Sequence, residues 1–256
     1  MKKLFSVIAV FVLLGLTASA TPASADTERV SRTIGIDAGG MLTLKSFSGR
    51  ITITGSDRTD VSIEGTRSGT REALDRHKLE IDGDRSHVRI VETGQERSER
   101  RDDRDQRDQM VETEFTIQVP RRLNLDIDLF SSALEVREIE GNHTVKTFSS
   151  RARLENVNGS IRAKSFSGSF DLRPTNWRDR EAIDVETFSG RIELRLPDSA
   201  RGSIDFESFS GKLESMVPIA VSTTSEKRMT GRIGSPSAGD GTVRLKTFSG
   251  SVTVNR

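Results

Sequence analysis

Residues 183–194 read IDVETFSGRIEL, residues 204–215 read IDFESFSGKLES, and residues 243–254 read VRLKTFSGSVTV. In each stretch apolar and charged residues alternate up to the tripeptide Phe-Ser-Gly and alternate again after it. A period of two marks a strand with one buried face and one wet face. Glycine permits backbone angles that other residues resist, so the Ser-Gly between the two runs reads as a corner. Each unit is therefore strand, corner, strand, and then a looser return containing Glu140-Gly141, Asn158-Gly159 or Pro197-Asp198.

The tripeptide Phe-Ser-Gly or Phe-Ser-Ser occurs seven times, at Phe47, Phe130, Phe148, Phe166, Phe188, Phe209 and Phe248. From Phe130 onward the spacings are 18, 18, 22, 21 and 39 residues. The last is about twice the unit, which predicts one degenerate or looped-out rung between Phe209 and Phe248. A unit this short cannot hold a strand plus a crossover helix, and a propeller blade needs about twice the length. It fits one coil of a parallel β-solenoid, with coils stacked about 4.8 Å apart. An antiparallel β-sandwich is the alternative, because regularly spaced short strands also suit it. The sandwich gives no reason for the tripeptide to return at the same phase. The corner glycines would be Gly49, Gly168, Gly190, Gly211 and Gly250.

The side on which the phenylalanines lie is ambiguous, because the alternation resets at them. One reading is a corner-packed stack that locks the coil register, in which aromatic neighbours gain about 0.5–1.5 kcal/mol beyond area burial. The other is an exposed apolar stripe that marks a partner site. Packing is favoured, with the N-terminal strands or the segment 95–109 covering part of the column. Central Phe166 and Phe188 would then hold the register more firmly than Phe248, at the end of the repeat.

The N-terminal part is less regular. Residues 42–53 already match a unit, and residues 61–65 read as a strand. Residues 71–77 read as one or two helical turns. Residues 79–82 and 87–91, joined around Gly83 and Asp84, read as a β-hairpin. Residues 95–109 (QERSERRDDRDQRDQ) hold five Arg against six Asp and Glu and no apolar residue, the composition of a mobile surface loop. At the extreme N-terminus, Lys2 and Lys3 precede the 13-residue, mostly apolar run 4–16, and Ala23-Ser24-Ala25 offers small residues before Asp26. This is the layout of a secretory signal peptide cut between Ala25 and Asp26. The run is too short for a membrane span. The expected organisation is a leader over 1–25 and a single β-solenoid domain over 26–256, located outside the cytoplasm with no transmembrane span after cleavage.

Composition excludes several function classes. The 256 residues contain 39 Lys and Arg against 38 Asp and Glu, and loss of Lys2 and Lys3 leaves 37 against 38. A general nucleic-acid binder needs a clear basic excess. There are no cysteines, so disulfides, thiolate metal sites and cysteine nucleophiles are excluded. His77, His87 and His143 have no second ligand at zinc spacing. Asp82, Asp84 and Asp240 sit among glycines without the ordered oxygens of a calcium loop, so they read as turn residues. No Gly-x-Ser-x-Gly elbow supports a serine nucleophile. Lys146, Lys164, Glu186, Glu207 and Lys246 would form an outer charged column. A polysaccharide-cleaving β-helix would gather its acids and bases there, but a solvated column explains it as well. No catalytic residue, cofactor or metal site is assigned.

With these motifs the chain resembles the bacterial putative-adhesin family known as the DUF4097 domain family. The resemblance rests on a strand ending in Val-Pro (FTIQVP, residues 115–120), the units TFSGRIEL (187–194) and TFSGSVTV (247–254), and Leu196-Pro197. It covers about residues 33–254. It implies a β-solenoid of exported or envelope-associated proteins and no settled biochemical activity. The sequence therefore leads to an exported, non-catalytic β-solenoid that works as an envelope or surface interaction module for a protein or glycan. A carbohydrate-active β-helix enzyme and an envelope-stress sensor or scaffold are the alternatives.

Overall fold

The computed structural model describes residues 25–94, 110–177, 180–235 and 240–256. The expected leader up to residue 24 and the charged segment 95–109 lie outside the described residues.

The chain opens with β1 (Asp26–Gly35), β2 (Met41–Ser56) and β3 (Asp60–Gly69), followed by one short helix, α1 (Arg71–Arg76). The Thr70 hydroxyl caps that helix by accepting the Ala73 N–H. A hairpin follows, β4 (Lys78–Gly83) and β5 (His87–Thr93), whose turn Asp84 closes by accepting the N–H groups of Ser86 and His87. These hydrogen bonds hold the Asp84 carboxyl below its ordinary range, the Ser86 side chain contributing most. Next come β6 (Glu112–Pro120) and β7 (Asn124–Arg137). Shorter strands complete the chain: β8 (His143–Thr147), β9 (Arg151–Glu155), β10 (Ile161–Ser165), β11 (Ser169–Arg173), β12 (Ala182–Thr187), β13 (Ile192–Arg195), β14 (Gly202–Ser208), β15 (Lys212–Ser215), β16 (Ile219–Thr224), β17 (Arg228–Ile233), β18 (Gly241–Thr247) and β19 (Ser251–Asn255).

The strands form two faces that meet at the Phe-Ser-Gly corner. One face runs β4, β5, first half of β2, first half of β7, β8, β10, β12, β18, β14, β17, β16. The other runs β1, β3, β6, second half of β2, second half of β7, β9, β11, β13, β19, β15. From β2 to β15 the coils pair in parallel, so the molecule is a parallel β-solenoid and not an antiparallel sandwich. Antiparallel strands appear only toward the ends. There β4 and β17 cover edges that would otherwise offer unpaired backbone groups.

Between the faces one apolar core runs from Ile36 to Val254, because every second side chain points inward. Its rows are in register from coil to coil: Leu125, His143, Ile161, Ile183, Val243 and Ile204 form one, Ala152, Phe170, Ile192 and Val252 another.

Two expectations about coil order need correction. Among the described residues of 210–247 there is no extra parallel rung: β15, the β16–β17 hairpin and β18 lie in this interval, and the hairpin covers the edge of β14. The last coil is not at the end of the stack either. Strands β18 and β19 lie between the β12–β13 coil and the β14–β15 coil. The chain leaves one slot open, builds the end coil and its cap, and returns to fill the gap. Val243, Leu245, Val252 and Val254 are fully buried in that slot. No helix among the described residues is long and apolar enough to cross a membrane.

Candidate interaction surface: a ladder of stacked phenylalanines

Four corners of the regular coils are hydroxyl-capped turns. The Gly N–H donates to the Ser or Thr oxygen three residues earlier: Gly168 to Ser165, Gly190 to Thr187 and Gly211 to Ser208, each at 2.6 Å, and Gly250 to Thr247 at 2.8 Å. Side chain and backbone thus satisfy each other where the strand ladder breaks. The corners also stack closely, and a Cβ on Gly190 would overlap the Gly168 carbonyl oxygen. Glycine is required there for approach, not for an unusual φ. The coil with Ser150 in this place lacks the cap, and Thr147 Oγ1 and Ser150 Oγ are buried without a hydrogen-bond partner.

The turn holds its first residue inward and throws the phenylalanine outward. Phe130, Phe148, Phe166, Phe188, Phe248 and Phe209 follow one another along the solenoid axis, with ring centroids 4.7–5.2 Å apart and ring planes within 1–5° of parallel. The order places Phe248 between Phe188 and Phe209, as the coil insertion requires. Carbon contacts sit at about 3.5–4.0 Å, so these centroid distances mean that the rings are offset as well as parallel. The rings remain 43–58% exposed. The column is therefore a surface stripe that is also stacked; the N-terminal strands do not bury it, and the segment 95–109, the other expected cover, lies outside the described residues. Faces are taken up by neighbouring rings, and the edges look outward.

Phe47 is not in this ladder. Its ring meets the His77 ring edge-on at 5.7 Å and 71°. The Ser46 hydroxyl, in the place of the capping hydroxyls, donates to Glu92 at 2.8 Å, and the Phe47 N–H donates to the same carboxylate at 3.1 Å. Thr113 also donates to Glu92, and Arg67 pairs with it at 3.5 Å. All four polar side chains are buried. Gly49 here has φ +118°, and a Cβ would strike the Thr113 backbone.

Beside the ladder, the outer face of the first sheet carries the charged column expected from the sequence. Lys164 pairs with Glu186 at 2.8 Å and Lys246 with Glu207 at 3.4 Å. The bonded Lys164 ammonium, helped by Lys246, holds the Glu186 carboxyl below the usual carboxylate range. Lys227, in the β16–β17 turn, holds its Nζ 4.5 Å from the Phe209 ring centroid. Column and ladder enclose an open groove of about 680 Å³.

The histidines do other work. His87 Nε2 lies 2.9 Å from the Thr43 hydroxyl. His77 ends α1 and packs on Phe47. His143, which follows the turn residues Gly141-Asn142, opens β8 and is buried in an otherwise aliphatic row. Burial pushes its pKa down to about 4. Asp240 pairs with Arg232. Among the described residues no group of three His, Cys, Asp or Glu is placed to hold a metal ion. Sequence reading missed Lys227 and the Glu92 cluster. It also passed over the capping hydroxyls, whose signal was the Ser or Thr before most of the seven phenylalanines.

Fold and ladder together define a coil-repeat protein with a continuous aromatic stripe on one corner. The chain belongs to the Toastrack DUF4097 family, whose profile matches residues 124–255. Among curated proteins, none matches the chain. Among solved structures it is similar to a putative cell adhesion protein from Clostridium sporogenes ATCC 15579, with TM-score 0.57 and 12% identity over 91% of this chain and 99% of that one. That likeness shows the fold. Lower scores are found with a putative adhesin from Bacteroides fragilis (0.34, 12% identity, 89% and 96% covered) and a putative lipid binding protein from Parabacteroides distasonis (0.35, 13% identity, 89% and 97% covered). Scores at this level carry no argument.

Proposed function

We propose that the chain is an exported, non-catalytic β-solenoid that serves as an interaction module of the cell envelope or surface, with the phenylalanine ladder as its contact surface. In this reading the leader is cut between Ala25 and Asp26, and residues 26–256 act as one domain. The observation that carries the proposal is the ladder itself. Six half-exposed aromatic rings in one unbroken line form an apolar surface of the kind that marks partner sites. The adhesion role ascribed to the Clostridium sporogenes protein of the same fold agrees with it.

A glycoside hydrolase needs a carboxylic acid kept protonated near neutrality. Glu186 is shifted the opposite way, toward the ionised form. The test is binding of labelled residues 26–256 to isolated cell envelopes, compared with the double variant Phe166→Ser/Phe188→Ser. Saturable binding that the variant loses, at unchanged circular dichroism, is expected. Equal binding of the two proteins overturns the proposal.

A further inference from the structure

We infer that the groove beside the ladder seats a single-chain anionic amphiphile, with its acyl chain along the ring edges and its acid group on Lys227. This rests on the interaction-module reading above and names the ligand class. The groove, about 680 Å³, has the size of a small-ligand site. Its apolar wall is made of Phe166, Phe188, Phe248 and Phe209.

The chemistry of that wall selects among partners. Sugars bind aromatic residues through ring faces, and here the faces are covered by the next ring. A peptide would need backbone partners, but the corner amides are already used. Ser167 N–H donates to Phe148 O, Ser189 N–H to Phe166 O, Ser249 N–H to Phe188 O, and Ser210 N–H to Phe248 O. A peptide laid along the rings would bury polar groups without partners. A hydrocarbon chain carries none.

Charge selects further. Four lysines face two glutamates in the groove. Lys164 and Lys246 are paired with Glu186 and Glu207, while Lys146 and Lys227 have no carboxylate partner among the described residues. A second copy of this chain would bring the same positive surplus against it, so the complementary partner is an anion. Lys227 is the cation that touches the stack. The Ser208 N–H donates to the Lys227 carbonyl at 2.8 Å and fixes the turn that carries it. The β16–β17 hairpin caps this end of the stack, as the β4–β5 hairpin caps the other, and it sets a positive charge at the closed end of the ladder.

Length agrees. Phe166 to Phe209 spans three ring steps of 5.0, 4.7 and 4.8 Å. One leaflet's share of a hydrocarbon core of about 30 Å is similar, roughly 15 Å.

The test is titration of residues 26–256 with laurate and palmitate by displacement of a fluorescent straight-chain fatty acid, all below their micelle thresholds. One saturable site is expected, with palmitate tighter than laurate and dodecyl maltoside at least tenfold weaker than laurate. Lys227→Glu, at an exposed turn, should weaken palmitate about tenfold, whereas Lys212→Glu, on the far side of the corner, should leave it unchanged. Phe248→Ala, checked for folding by circular dichroism, should weaken it at least as much. Absence of a saturable site, equal binding of dodecyl maltoside and laurate, or indifference to Lys227→Glu overturns the inference. Ladder-dependent envelope binding without fatty-acid binding would overturn the ligand class alone and leave the interaction module standing.

Discussion

The tetrapeptides Ser46-Phe47-Ser48-Gly49 and Thr187-Phe188-Ser189-Gly190 are nearly the same, and they build different corners. At the second, the hydroxyl caps Gly190 and Phe188 stacks on the rings above and below it. At the first, the hydroxyl turns to Glu92, and Phe47 packs on a histidine. The residues beyond the motif make the difference. Thr187 lies between the like residues Ser165 and Thr247. Ser46 runs beside strand β5, whose next residue in register is Glu92, and the chain from there enters the 95–109 segment instead of a four-residue corner. At the Phe47 corner the strand alongside does not repeat the motif but offers a carboxylate, and the hydrogen-bond donors collect around it. Phe209 also has a non-repeating neighbour, yet Ser208 caps Gly211 and the ring stacks on Phe248.

The sharpest way to separate the two corners is to remove that carboxylate. Glu92→Ala strands the Ser46 and Thr113 hydroxyls and takes one of two carboxylates from buried Arg67, which keeps Glu28 at 2.9 Å and the His77 carbonyl. Breaking a buried ion pair from one side costs about 3–5 kcal/mol, and the retained Glu28 pair puts the loss at the lower end. Urea denaturation should show a loss of that size. A loss below about 1 kcal/mol would mean that water enters the cluster and that the corner is less closed than its burial indicates.

His143 sits where the irregular N-terminal coils hand over to the regular ones. It is neutral in the fold, its pKa pushed down to about 4 by burial, and Nδ1 has no partner for a second proton. In the unfolded chain this imidazole protonates near the ordinary histidine value of 6.5. Between these values the unfolded state binds more protons, so stability is full above about pH 6.5 and falls as pH drops toward 4. At 1.36 kcal/mol per pKa unit, the loss approaches about 3 kcal/mol. His143→Leu, which matches its row neighbours Leu125 and Ile161, should flatten the profile in this window. An unchanged profile would assign the acid sensitivity to carboxylates instead.

In the regular corners the tight point is Gly190. Gly190→Ala forces a Cβ into the Gly168 carbonyl, and overpacking of this kind costs about 1–3 kcal/mol. The comparison predicts the upper end of that range by thermal and urea unfolding, because backbone on both sides must move. Ser132→Ala, in the β7 coil that passes the corner as a continuous strand, should cost less, about 0.5–1.5 kcal/mol, because its buried hydroxyl loses only a 3.4 Å contact with Ser46.

These contrasts show which parts of the molecule were legible in its sequence. Period-two alternation and a repeated tripeptide carry strand positions, corners and the common phase of the phenylalanines, because each depends on nearest neighbours in sequence and on identical coils. His143 lies in phase with Val145 and Thr147, so the alternation carries its inward position despite the preceding Gly-Asn. Coil order was not legible. The later coils present similar inward residues and similar corners, so pairing energy alone barely distinguishes one neighbour from another, and Phe248 can occupy the slot after Phe188. Ser46 and Glu92 are 46 residues apart and share no pattern. Lys227 lies in a hairpin outside the repeat, so no periodicity points to it.

The smallest effect separates positions within the ladder. Phe248 has a ring on both faces, whereas Phe209 has one ring and the Lys227 ammonium. At about 0.5–1.5 kcal/mol per aromatic pair, Phe248→Ala should cost about 1–2 kcal/mol and Phe209→Ala about half of that. A half-exposed ring has little buried area to lose, so neither should reach the roughly 3–5 kcal/mol of a core phenylalanine. Phe170→Ala, at 1% exposure, supplies that larger value as an internal standard. If Phe209→Ala proves the costlier of the two ladder changes, the last coil does not lie between its neighbours in solution and the strand order is wrong. If both ladder variants match Phe170→Ala, the rings are covered in solution, and the stripe is an internal contact of the chain and not a surface for partners.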